Sequence, residues 1–291
     1  MGSQPTRPPS LRQAPEPRLT RREGGENFPV ALSVLPRKVR ADLHAVYAVA
    51  RTIDDLGDRA DGDRTAALYD FRADLHGIWR ASRPRRQVLQ ALAPTVRARG
   101  LTPEPFDDLI AANLIDQRVT RYDTFDDLLD YCRLSADPVG RLVLDIFGQR
   151  SPATVFLSDQ VCRALQLLEH LQDVAEDRRA GRVYLPLQDL AAFGVTETDL
   201  DQPHAGGPLR ALIAFETDRA SRLLASGAPL RKHLHGWARL AVAGYLAGGH
   251  AAVRALRRAG FDVLGENAAV RRSDIARSAV ATLLAGSGST R

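Results

Sequence analysis

Lysine is almost missing from this chain. Of its 40 basic residues only Lys38 and Lys232 are lysine, and the rest are arginine. Set against 35 acidic residues, they leave a formal charge of +5. That balance suits an anionic substrate, an anionic membrane surface or nucleic acid, and arginine grips phosphate in paired contacts better than lysine does. Cysteine is scarce too. Cys132 and Cys162 form no CxxC or other metal-type spacing, which excludes a thiolate metal centre. Both stand in apolar, helix-like surroundings and read as buried free thiols suited to a reducing cytoplasm. Long apolar runs are also lacking. The densest, "LAVAGYLAGG", lies between Arg239 and His250 and falls well short of the roughly 18 residues a spanning helix needs. Residues 1–25 are polar and rich in Pro and Arg, unlike a secretory signal. A cytoplasmic protein is expected, soluble or peripheral to the inner face of the membrane. Alternating apolar–polar runs and internal repeats are missing as well, which argues against sheets and solenoids.

What remains is helical. The chain has 291 residues, 44% apolar and 26% charged, enough for one domain with a sizeable core. Residues 1–24 carry five prolines and no hydrophobic period, and read as a disordered tail. Residues 25–291 read as a single all-α domain of roughly ten helices. Pro36 precedes a helix over about 39–60. Pro84, Pro103 and Pro138 mark helix starts, and Thr124 is an N-cap with acids in the turn after it. A helix over 154–179 should end near Gly181. Residues 188–206 read as a loop with a short helical turn in "GVTETDL". Helices follow over about 207–225, 230–258 and 271–286.

Two acidic stripes carry the chemistry. "RTIDDLGD" places Asp54 and Asp58 four apart, with Arg51 one turn earlier, so all three share a face, while Asp55 points about 100° away. "LEHLQDVAED" places Glu169, Asp173 and Asp177 at i, i+4 and i+8, about 6 Å per step. Like charges at this spacing repel by roughly 0.2–0.5 kcal/mol per pair. One such pair is ordinarily a solvated face. Two of them, each following an apolar helix segment, call for a cation. Mg²⁺ takes hard oxygen ligands and fills its octahedron with water and phosphate oxygens, so facing stripes could hold a Mg²⁺ cluster that grips a diphosphate. The acids in "FDDL" (106–109) and "FDDLLD" (125–130) instead sit in first turns and serve the helix dipole.

Four blocks, in order, resemble the squalene/phytoene synthase family: "ENFPVALSVLPRKVRADLHAVYAVARTIDDLGD", "YCRLSADPVGRLVLDIFG", "LQLLEHLQDVAEDRRAGRVYLP" and "YLAGGHAAVRALRRAGFDVL". They span about residues 26–264. Within the family, "ENFPVA" and "ADPVGRLVL" are most similar to the hopanoid-cluster squalene synthase branch, which resembles a hydroxysqualene synthase. The resemblance implies a class I isoprenoid (terpenoid) synthase fold, a helical bundle around a central apolar pocket. It also implies Mg²⁺-assisted ionisation of presqualene diphosphate, with water capturing the cation. Metal binding then falls to Asp54, Asp58, Asp173 and Asp177, with Arg51, Arg182 and Tyr184 on the diphosphate side. Phe28, Tyr47, Tyr131, Gly140, Gln166 and Tyr245 fall at tunnel positions. Glu169 stands where the family usually has Asn. It can ligate Mg²⁺ but adds a charge, and tighter metal binding, slower diphosphate release and a changed substrate all stay open.

Buried aromatics would offer π-faces to a carbocation. His44 and His170 stand near enough in sequence to hold the water, but a lone His is more often structural and neither is singled out. A head-to-head prenyl transferase (making presqualene diphosphate, squalene or phytoene) is the alternative on the same fold. A non-catalytic assembly factor is the alternative of another class. The "RALRR" run at 254–258 fits an amphipathic helix facing anionic lipid, and no nucleic-acid motif accompanies the basic charge. Expected partners are a prenyl diphosphate substrate, the membrane surface and neighbouring enzymes of the squalene pathway.

Overall fold

The structure is a computed structural model and describes residues 35–265. The expected tail (1–24), Phe28 and the helix expected over 271–286 lie outside the described residues. Within them there are helices and no strand, as the hydrophobic period predicted.

Helix α1 (Arg37–Asp58) starts after Pro36 and buries Leu43, Val46, Val49, Ile53 and Gly57 along one stripe. Helices α2 (Arg64–His76), α3 (Gln87–Arg99) and α4 (Glu104–Asp116) pack against it. The Thr124 N-cap expected from sequence is present. Its hydroxyl accepts from Asp127 N–H, and the Asp127 carboxylate returns the bond to Thr124 N–H, which starts α5 (Phe125–Ser135). Helices α6 (Asp137–Phe147) and α7 (Pro152–Gln172) follow, and α7 lies at the centre, against α5, α6, α10 (Gly207–Gly227), α11 (Leu230–His233) and α12 (Gly236–Arg258). Two short helices, α8 (Val174–Arg179) and α9 (Leu187–Ala192), and a 3₁₀ turn at Glu197–Asp201 lie between α7 and α10.

Two long helices of the sequence reading are each two. The expected 154–179 helix bends at Asp173, whose φ of −102° and ψ of 11° leave the helical region. Backbone bonds still run across the bend, from Asp173 N–H to Glu169 O (3.0 Å) and from Asp177 N–H to Asp173 O (2.8 Å). The acidic stripe is therefore kinked rather than cut. The expected 230–258 helix breaks at Leu234–His235, where Gly236 takes a positive φ of 56°. Gln149 replaces the lost helix bonds: its amide donates to His235 O (3.1 Å) and its carbonyl accepts from His235 N–H (3.0 Å). The loop read over 188–206 holds the expected short helical turn at Glu197–Asp201, and it begins with α9, which the sequence reading did not give.

Buried charge is paired. Asp137, fully buried at the start of α6, takes Arg163 of α7 in a forked contact of 2.6–3.1 Å, and Arg141 bridges to Asp159 at 2.9 Å. Asp42 of α1 holds Arg99 of α3 at 2.6 and 2.8 Å. Helices α1, α4, α6, α7 and α12 enclose an apolar cavity of about 270 Å³. Gly140 is part of its wall because α6 and α7 approach too closely for a side chain: a Cβ there would stand 2.4 Å from Ser158 Oγ and 2.5 Å from Cys162 Sγ. Cys132 is buried and Cys162 half-buried, and both are free. Burial raises both thiols to about 12, so neither is a thiolate at neutral pH.

Candidate active site

The cavity has one polar end. Arg51 and Asp54 of α1 and Gln166 and Glu169 of α7 line it there, while Tyr47, Gly140 and Tyr245 line its apolar wall. All seven were predicted, Arg51, Asp54 and Glu169 at the diphosphate end and Tyr47, Gly140, Gln166 and Tyr245 along the tunnel; the structure puts Gln166 at the polar end. Beyond the polar end, outside the cavity lining, stand Asp58, Asp177 and Arg182. Arg182 follows α8 and reaches back across 124 residues to donate to Asp58 Oδ1 at 2.8 Å. Its charge also bears on Asp177, so one guanidinium serves both aspartate motifs.

Asp54 is held by Asn113, whose amide donates to its Oδ1 at 3.2 Å. That bond exists because residue 57 is glycine. A Cβ at Gly57 would come within 2.2 Å of Asn113 Oδ1, and Gln117 uses the same close approach to reach Gly57 O at 3.0 Å. Asp55 is turned away, as expected, but it is not idle. It accepts from Arg51 Nη2 at 3.2 Å and Arg59 Nη1 at 3.3 Å, and so steadies the guanidinium that borders the cavity.

Burial governs the electrostatics of these acids. Burial pushes Asp54 up to about 6, against the Asn113 hydrogen bond and the Arg51 charge, and Asp58 and Asp55 add repulsion. Burial pushes Asp177 up to about 7, with Asp173 adding to the rise and Arg182 opposing it. Asp173, at the exposed rim of the bend, rises to about 6 by desolvation and by the charge of Glu176. Among the described residues no three Asp, Glu, His or Cys groups stand close enough to hold one ion by themselves. The donors present are hard oxygens whose charge the protein leaves under-compensated. They fit Mg²⁺ provided that other oxygens complete its shell.

Tyr131 and Tyr184, read from sequence as tunnel and diphosphate-side positions, do not line the cavity. Both donate to one carboxylate that the sequence reading missed: Tyr131 Oη reaches Asp116 Oδ2 at 2.6 Å and Tyr184 Oη reaches Oδ1 at 3.1 Å. Burial pushes Asp116 up to about 6 despite these bonds and the nearby Arg182 charge. Tyr122 stacks on Tyr184 (centroids 5.8 Å apart), and its buried hydroxyl has no hydrogen-bond partner among the described residues. His170 stacks closer still on the other ring neighbour of this group, 3.9 Å from Tyr184. One signal for Asp116 was legible. It is an acid in the last turn of α4, where the helix dipole disfavours negative charge. Phe28 lies outside the described residues, and His44 is not among the cavity's lining.

The squalene/phytoene synthase family model matches residues 21–274. A hydroxysqualene synthase of Zymomonas mobilis is 37% identical over 216 residues, 72% of this chain and 71% of that protein. A phytoene synthase of Mycobacterium tuberculosis is 38% identical over 220 residues, 73% of this chain and 71% of that one. The crystal structure of squalene synthase HpnC from Alicyclobacillus acidocaldarius superposes with a TM-score of 0.76 at 42% identity, covering 82% of this chain and 91% of that one.

Proposed function

This chain belongs to the squalene/phytoene synthase family and has its terpenoid synthase fold, and from that premise we propose that it ionises presqualene diphosphate and lets water capture the cation, giving hydroxysqualene and diphosphate. The observation that carries this reading is a cavity with one polar end: an apolar chamber of about 270 Å³ bordered there by Arg51, Asp54 and Glu169. The named relatives support the pathway, since they include hydroxysqualene synthases and a presqualene diphosphate synthase of Rhodopseudomonas palustris.

The chain's own groups divide the work. Asp54, Asp58, Glu169, Asp173 and Asp177 would hold Mg²⁺, which supplies Lewis-acid stabilisation of the leaving diphosphate. Arg182, already centred on both motifs, and Arg51, steadied by Asp55, stabilise the negative charge that develops on the leaving oxygens. The apolar wall keeps bulk water from the cation, and the rings of Tyr47 and Tyr245 face it at about 0.5–2 kcal/mol each. Asp116 fixes the Tyr131 and Tyr184 hydroxyls behind the polar end and thereby the loop that presents Arg182.

A head-to-head prenyl transferase is the second reading, favoured by the similar identity to a phytoene synthase. Incubation with Mg²⁺ and either presqualene diphosphate or farnesyl diphosphate separates the two. Hydroxysqualene from the first substrate is expected, and conversion of farnesyl diphosphate alone to presqualene diphosphate contradicts the proposal. A non-catalytic role predicts no turnover of either. No helix of the described residues is long and apolar enough to cross a membrane. Peripheral contact is proposed through α12, whose Arg254, Arg257 and Arg258 stand exposed opposite a buried Ala/Val/Leu face. Sedimentation with anionic vesicles tests it, and full recovery in the supernatant contradicts it. Association with neighbouring squalene-pathway enzymes in the cytoplasm is part of the same proposal.

A further inference from the structure

One line of side chains on α7 joins the aspartates to the apolar cavity and has no task in the mechanism above. Gln166 lines the cavity, and its amide nitrogen meets His170 Nε2 at 3.3 Å. Two nitrogens bond at that distance only if one of them carries no proton on that side. The amide nitrogen always carries two, so His170 Nε2 is the acceptor. The imidazole proton is then on Nδ1, which faces Asp177 Oδ2 at 3.9 Å. A second small cavity, with room for about one water, lies among His170, Asp177, Arg182 and Tyr184, where a water would bridge that gap. Stacking on Tyr184 locks the ring, and His170 itself does not line the large cavity.

The consequence falls on Gln166. One N–H of its amide goes to His170, which draws the nitrogen to the ring and leaves the carbonyl oxygen as the end to face the cavity. A carbonyl there accepts a hydrogen bond from water and leaves the water's lone pair free. An NH₂ would occupy that lone pair and place positive charge beside a cation. We propose that Gln166 orients the water that captures the carbocation, and that His170 is the positioning residue that turns the Gln166 carbonyl toward the cavity. This rests on the hydroxysqualene reading above. In the step, a lone pair of the water forms the new C–O bond to the cationic carbon. One O–H bond breaks, and its proton passes to solvent or to the diphosphate released in the same turnover. Nothing is oxidised or reduced.

The test reads products per substrate consumed, at whatever rate each variant turns over. Wild type, His170→Phe, His170→Gln and Gln166→Leu are incubated with presqualene diphosphate and Mg²⁺ in ¹⁸O-water. Labelled alcohol and elimination hydrocarbons are then quantified. His170→Phe keeps a ring on Tyr184 but removes the acceptor, and the ratio of alcohol to hydrocarbon is expected to fall about tenfold or more. His170→Gln returns an acceptor and restores most of the ratio. Gln166→Leu lowers it as His170→Phe does, and serves if the latter fails to fold. An unchanged ratio in the folded variants overturns the inference. So does a natively folded His170→Phe that consumes no substrate, because the residue then serves ionisation rather than capture. Wild type is read first: if it consumes no presqualene diphosphate, the reaction proposed for this chain is what fails.

Discussion

Asp54 shows how much a single residue depends on its neighbours. Its carboxylate is pushed up to about 6 by burial, and it accepts a hydrogen bond from Asn113. Asp54→Asn and Asp173→Asn should each lower turnover by at least a hundredfold, a typical cost of removing transition-state charge stabilisation, while circular dichroism keeps its helical form. An unaffected rate would remove the metal-site reading. Gly57→Ala tests the support beneath Asp54. The new methyl drives into Asn113, and a loss of about 1–3 kcal/mol is expected in chemical denaturation. The two DxxxD stripes were legible because helical period alone places them. The meeting of Asp116 with its tyrosines was not, because it depends on α4, α5 and the loop after α8 converging from distant parts of the chain.

At the scale of elements, the loop bearing Arg182 is held from outside the site. Arg121 donates to both oxygens of Glu197 at 2.6 and 2.8 Å and to Gly181 O at 2.7 Å. Arg178 of α8 meets the same Glu197 and forks onto Asp201 at 2.7 and 2.8 Å. Val183 N–H bonds Thr120 O beside this clasp. Arg121→Ala should therefore speed amide exchange at 181–183 by roughly tenfold and weaken diphosphate binding, leaving exchange in α1 unchanged. Equal protection in the variant would show that the loop is held by its backbone pairing alone. Helix starts were readable at Pro103, Thr124 and Pro138, but Pro84 lies three residues before α3, and the side-chain caps of Asp63 on α2 and Ser151 on α7 were not read. The breaks at Asp173 and Leu234–His235 were not. Neither contains proline, and the second is completed by Gln149, 86 positions away.

Over the whole molecule, acids with raised pKa set the response to pH. Glu216 of α10 is buried beside Asp189, and Arg219 bridges them at 3.0 and 2.9 Å while its guanidinium lies 4.1 Å over Phe125 and 4.5 Å over Phe215. Burial pushes Glu216 up to about 8 from an ordinary 4.5. Between those values the native state binds a proton that the unfolded chain has released. Glu216 therefore contributes stability in full below about pH 4.5 and loses it as pH rises to about 8, by up to ~1.4 kcal/mol per pH unit. Asp54, Asp116, Asp137 and Asp173, raised to about 6, and Asp177, raised to about 7, act with the same sign. The protein without metal should lose stability from about pH 4 to 8, the aspartates acting over the lower part of that range. Glu216→Gln should flatten that slope, matching wild type near pH 4 and exceeding it at pH 8. Parallel melting curves across that range would contradict the assignment.

The central claim is that two aspartate motifs, with Arg51 and Arg182, hold a divalent cation and a diphosphate together at the mouth of an apolar cavity. Isothermal titration of the protein with inorganic diphosphate, in excess Mg²⁺ and again in EDTA, tests it most directly. Binding that needs Mg²⁺ and is lost in both Asp54→Asn and Asp173→Asn is predicted. Equal binding in EDTA, or binding that survives in either variant, would contradict it.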